Sequence, residues 1–113
     1  MIYRNDAHED TFRENMRDGE GTVKLTALTQ ELPSNLRLFS LLTFPVSGSI
    51  GYHMHENETE IYYILSGKAR VSDDGEMFDL LPGDTMTTAN GHSHSVTNTG
   101  DCEMKMLACI VKD

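Results

Sequence analysis

The sequence predicts an all-β domain, a sandwich or barrel of short strands, from three observations. Turn signals recur at intervals of about one strand plus one turn: LPSN at 32–35, PVSGS at 45–49, SG at 66–67, DDG at 73–75, PGD at 82–84, NG at 90–91 and NTGD at 98–101. The segments between them alternate with period two or are apolar throughout. The 113 residues suffice for one core and leave no room for a second domain.

Each segment supports the expectation in turn. Residues 1–20 are charged and lack an apolar stripe, so they are expected to form a short helix or an arm laid over a barrel spanning 21–113. In TVKLTAL, Val23, Leu25 and Ala27 share one face and Thr22, Lys24 and Thr26 the other. LRLFSLLTF carries Arg37 among core-type residues, either to clamp an acidic substrate or to snorkel outward from a strand start. In CEMKMLACIV, Cys102, Met104, Met106, Ala108 and Ile110 take one face, with Glu103 and Lys105 opposite. Met54, Met77, Met86, Met104 and Met106 read as core filler.

The chemistry concentrates in GYHMHENETEIYYILSG, residues 51–67. His53 and His55 are one residue apart and point to the same side of a strand. After the polar ENET turn, Glu60, Tyr62 and Ile64 share one face of the next strand, and Ile61, Tyr63 and Leu65 the other. A hairpin would bring Glu60 across from the histidine pair. Further on, His94, Val96 and Asn98 share a face after the Asn90-Gly91 turn. Two imidazoles and a carboxylate inside a barrel each cost roughly 1–3 kcal/mol or more if unpartnered, and a divalent metal removes that cost.

These residues resemble the two motifs of the cupin family. The first runs glycine, five residues, H-x-H, three or four residues, glutamate, six residues, glycine. His53, His55, Glu60 and Gly67 fit it, while Ser47 stands at the leading glycine position and Gly48 follows. In the second, Gly83, Gly91, His94 and Asn98 fit, with Ala89 in place of proline. The resemblance implies a double-stranded β-helix barrel of the jelly-roll type, with His53, His55, Glu60 and His94 as ligands of one divalent transition metal. Three imidazoles and a carboxylate suit Mn, Fe, Co, Ni or Zn without deciding among them and leave a site charge of about +1. Three nitrogen ligands disfavour calcium and magnesium. Zinc held tetrahedrally by all four would have no open position and would be structural.

The leading functional expectation is a metal-dependent enzyme acting on a small polar or anionic molecule that chelates the metal, of the dioxygenase, decarboxylase, isomerase or lyase type that the resemblance implies. The alternative is a non-catalytic binding or sensing module. Tyr62 and His92 are the candidate catalytic residues, with Glu58 after them as a possible base. Tyr62 is equally readable as a packed aromatic, and His92 as a solvated turn residue. The outward apolar row Ile61, Tyr63 and Leu65, with Leu107, Cys109 and Val111, needs cover from the N-terminal arm or a second copy; the resemblance favours a homodimer.

Charge and composition exclude other classes. Eighteen acidic against nine basic residues give a net charge of −9, which argues against nucleic acid and anionic membranes as partners. The opening residues lack the apolar h-region of a signal peptide, and no apolar run reaches the ~20 residues of a membrane span. Two cysteines make no disulfide framework and read as free buried thiols of a cytoplasmic protein.

Overall fold

The computed structural model describes all residues, Met1–Asp113. Ten strands follow in order: β1 (Glu9–Glu14), β2 (Thr22–Ala27), β3 (Leu36–Phe44), β4 (Ser49–Met54), β5 (Glu58–Ser66), β6 (Ala69–Asp73), β7 (Glu76–Leu80), β8 (Thr85–Thr88), β9 (Ser93–Asn98) and β10 (Met104–Lys112). They form two antiparallel sheets, ordered β1-β2-β3-β10-β5-β8 and β4-β9-β6-β7. From β3 onward the chain crosses between the sheets at every connection except the β6–β7 hairpin, which is the winding of a jelly-roll barrel.

Period-two alternation sets which side chains enter the barrel. Val23 and Leu25 of β2, Tyr62 and Ile64 of β5, Val96 of β9, and Met104, Met106 and Ala108 of β10 are buried together in one cluster with Leu42, Phe44 and Val71. On β5 the opposite face shows Ile61, Tyr63 and Leu65 at 37–48 % exposure.

Residues 1–20 contribute no α-helix. Glu9–Glu14 is an edge strand paired with β2, and two short 3-10 turns flank it. The apolar row on β5 lies toward the other end of that sheet, so this edge strand does not cover it. The expected β4–β5 hairpin is replaced by a corner: the two strands belong to different sheets, and the chain spans the gap between them through residues 55–57. Cys102 lies in the loop before β10 and is exposed, and Cys109 is half-buried, so neither is a buried core thiol. Met54 and Met77 are likewise exposed; Met54 falls between the inward histidines and therefore points out.

Two motif positions hold the corners. Ser47, at the place where the first motif has glycine, adopts φ 65°, the left-handed conformation glycine would take without strain. Buried Asn98 donates from Nδ2 toward the carbonyls of Phe44, Pro45 and Cys102 at 3.3, 3.0 and 2.9 Å, and its Oδ1 accepts from the Gly100 N–H at 3.0 Å. One amide thereby pins the end of β3 to the β9–β10 loop. Asn98→Ala orphans these buried carbonyls and should cost about 2–3 kcal/mol in denaturant unfolding; an unchanged midpoint would show that the network contributes nothing.

Candidate metal centre

The barrel interior brings together the four residues that the motif spacing singled out. His53 is directly opposite His94 in the β4–β9 register. His55 follows the end of β4, held by backbone hydrogen bonds with His92 and Gly91. Glu60 enters from β5, in the facing sheet. The four donor atoms all lie within 4.8 Å of one another.

Every imidazole turns Nε2 inward and has a partner for Nδ1. His53 Nδ1 donates to the Gly51 carbonyl at 2.7 Å, and His55 Nδ1 donates to Glu58 at 2.5 Å. His94 Nδ1 contacts the Thr88 hydroxyl at 2.8 Å. A carbonyl and a carboxylate can only accept, so His53 and His55 carry their protons on Nδ1 and present Nε2 lone pairs to the centre. Lone pairs and a carboxylate converging on one point are mutually repulsive without a cation, so this donor set fits a divalent transition metal.

The spacing adds to that fit. The separations are 2.9 Å for His55–His94, 3.2 Å for His53–His94, and 3.1 Å from Glu60 to both His55 and His94. These separations are close enough for one ion to be held by all four residues.

Electrostatics follow the contacts. Burial opposes ionisation of Glu60, but contact with the His55 and His94 Nε2 atoms, when these carry a proton in place of a metal, holds its pKa down to about 2. Glu60 raises the His55 pKa, against burial and with help from Glu58, so metal at His55 competes with a proton. Burial lowers the His53 pKa, with smaller contributions from the neighbouring imidazoles and the Arg17 guanidinium. Tyr62 is fully buried, stacked on His94 at 4.8 Å, with its hydroxyl 3.3 Å from His94 Nε2; burial pushes its pKa well up, so it stays neutral.

The other candidates fall elsewhere. His92 is exposed and pairs with Asp74 across a turn, outside the cluster and its cavity. Arg37 is half-exposed, and its Nε and Nη2 donate to the two oxygens of Glu58 at 2.8 Å each. That contact, opposed by burial and aided by His55, brings the Glu58 pKa to about 2. Glu58 is therefore an ionised support behind His55 rather than a free base. A cavity of about 390 Å³ leads to His53, His55, Glu60 and Tyr62, and its wall includes the exposed Arg13 and Glu14 at the end of β1 and Asn15 and Arg17 of the β1–β2 turn. Sequence reasoning missed these residues; their one signal was two arginines in an otherwise acidic segment.

Comparison with known proteins agrees with the geometry. The family model described as "Cupin domain" matches residues 40–110. The chain is a cupin. It is 39 % identical over 99 residues to an oxalate-binding protein of Thermotoga maritima, covering 86 % of this chain and 82 % of that one. The crystal structure of a predicted oxalate decarboxylase from Thermotoga maritima superposes with a TM-score of 0.94 at 36 % identity over the full length of both chains. KdgF from Halomonas sp. shares the fold, with a TM-score of 0.80 at 18 % identity over 100 % of this cupin and 96 % of that chain.

Glu58 fixes the tautomer and orientation of His55, and removing its charge should loosen the metal without touching a ligand. Glu58→Gln is expected to weaken metal affinity about 10- to 100-fold in competition with a chromophoric chelator. An unchanged affinity would remove Glu58 from the centre.

Proposed function

We propose that this cupin holds one divalent transition metal on His53, His55, Glu60 and His94 and uses it to bind a small dicarboxylate of the oxalate type. The observation that carries the reading is the convergence of three Nε2 atoms and a carboxylate at the foot of an open cavity with a basic rim. The likeness to an oxalate-binding protein supports the choice of ligand. A metal held by these residues would supply a Lewis-acid centre for the oxygens of a small anion. Tyr62 stands beside it with a neutral hydroxyl able to donate to the bound anion. Arg37 and Glu58 keep His55 in place, and the apolar wall of Leu25, Leu38, Leu42 and Ile110 limits ligand size and water.

Turnover is the second reading, and Glu14 favours it. Glu14 is a carboxylate that lines the same cavity as His53, His55 and Glu60 and has no ion pair, which makes it a candidate for proton exchange. Tyr62 is the other candidate donor. His92, paired with Asp74 outside the cavity, has no evident route to it. Elemental analysis should find one transition ion per chain. Calorimetry should then show saturable oxalate binding that disappears in His94→Ala. Failure of the metal-loaded protein to bind oxalate would overturn the ligand assignment. Formation of carbon dioxide and formate from oxalate would establish turnover.

The exposed apolar row on β5 and β10 supports a homodimer built on that face. Ile61, Tyr63 and Leu65 register against Cys109, Leu107 and Lys105–Met106 of β10, and Leu107 in turn faces Leu41 of β3. The two thiols without a disulfide support a reducing, cytoplasmic setting, and no helix is long and apolar enough to cross a membrane. Tyr63→Glu should halve the mass measured by light scattering; a wild-type protein that is already monomeric would refute the dimer.

A further inference from the structure

The turn between β1 and β2 is seated on the metal-bearing strand with little freedom to move. Gly19 and Gly51 make the seat. A Cβ on Gly51 would overlap the Arg17 carbonyl, and one on Gly19 would overlap the Ser49 carbonyl. Ser49 and Glu20 exchange two hydrogen bonds, Ser49 N–H to the Glu20 carbonyl and Glu20 N–H to Ser49 Oγ, each 2.8 Å. Within the turn, Asn15, Arg17 and Asp18 have φ of 50°, 54° and 64°. Three non-glycine residues in the left-handed region are costly and persist only where the surroundings hold them. Asn15 supplies some of that hold through its N–H to the Gly21 carbonyl at 2.9 Å and its Nδ2 to the Gly19 carbonyl at 3.1 Å.

The turn and the strand end that leads into it carry charge to the cavity. Of the nine basic residues in the chain, Arg13, Arg17 and Arg37 line this one cavity. Arg37 is consumed by Glu58. Arg13 and Arg17 have no ion-pair partner, and Glu14 between them offsets one charge. An anion that chelates at the foot of the cavity leaves its outer oxygens toward this rim.

We propose that the end of β1 and the seated turn that follows it form the selectivity element of the cavity, in which Arg13 of the strand and Arg17 of the turn together admit a small dianion in preference to a neutral or singly charged molecule. The proposal rests on the reading of the site as a metal-held anion site. It goes further by placing the choice of charge in a segment that contributes no metal ligand.

The test compares wild type, Arg13→Gln/Arg17→Gln and Gly51→Ala, each loaded with metal and checked for one ion per chain. Metal removal by dipicolinate, a dianion, is timed against removal by 1,10-phenanthroline, which is neutral. The double variant should lose dipicolinate rate by about tenfold, with the phenanthroline rate unchanged. Gly51→Ala keeps every charge but unseats the turn, and should lose the same advantage in part. Oxalate affinity is measured on the same samples. If wild type binds no oxalate while the double variant still loses its dianion preference, the ligand assignment falls and the rim stands. Equal dipicolinate rates in wild type and double variant would overturn the rim proposal, whatever oxalate does.

Discussion

Three imidazole nitrogens and a carboxylate oxygen held within 4.8 Å of one another in the barrel interior are the constraint around which this structure is organised. Such a cluster is unfavourable unless each group is oriented and its charge is answered. The protein orients each ring from behind: a carbonyl for His53, a carboxylate for His55 and a hydroxyl for His94. The Glu58 support is itself clamped by Arg37, so the orientation of one ligand depends on a chain of contacts running out to the cavity mouth. Tyr62 stacks on His94 and closes the inner side with a group that does not ionise.

The cluster also joins the two sheets. His53 and His94 belong to the four-stranded sheet, and Glu60 and Tyr62 to the six-stranded one. An ion bound by both sheets ties together elements distant in sequence, so part of its binding free energy becomes folding free energy. Asn98 does the equivalent work at the far end of β9, where one amide spans the β3–β4 corner and the β9–β10 loop.

Which parts of this were legible in sequence follows from how local each signal is. The parity of His53 and His55, of Glu60 and Tyr62, and of His94 and Asn98 depends only on the two-residue period of a strand, and all six side chains face inward or into the cluster as that period requires. The same period misplaced Cys102, because the strand begins two residues later and the loop before it is pinned by Asn98. Parity could not show that β4 and β5 lie in different sheets, since a hairpin and a corner both present Glu60 to the histidines. Nor could it separate His92 from His94: the same alternation runs through both, but His92 lies in the turn and is captured by Asp74. Arg13 and Arg17 were invisible because they reach the cavity through loop packing, and two glycines 32 residues apart, Gly19 and Gly51, are not a readable pair.

The net charge of −9 at first sight opposes an anion site. Distance settles the conflict. The molecule measures 39 × 32 × 26 Å, and at physiological ionic strength charges are screened over about 8 Å. Charges farther than that from the cavity act only weakly on what it holds. Arg13, Arg17 and Arg37 line the cavity itself. On the proposed reading, a small anion in the cavity would respond to the unpaired Arg13 and Arg17, while the acidic remainder would discourage polyanions too large to enter. Net charge describes the surface that large partners meet. The wall of a cavity of about 390 Å³, where Arg13 and Arg17 stand without ion-pair partners, decides what a small ligand meets.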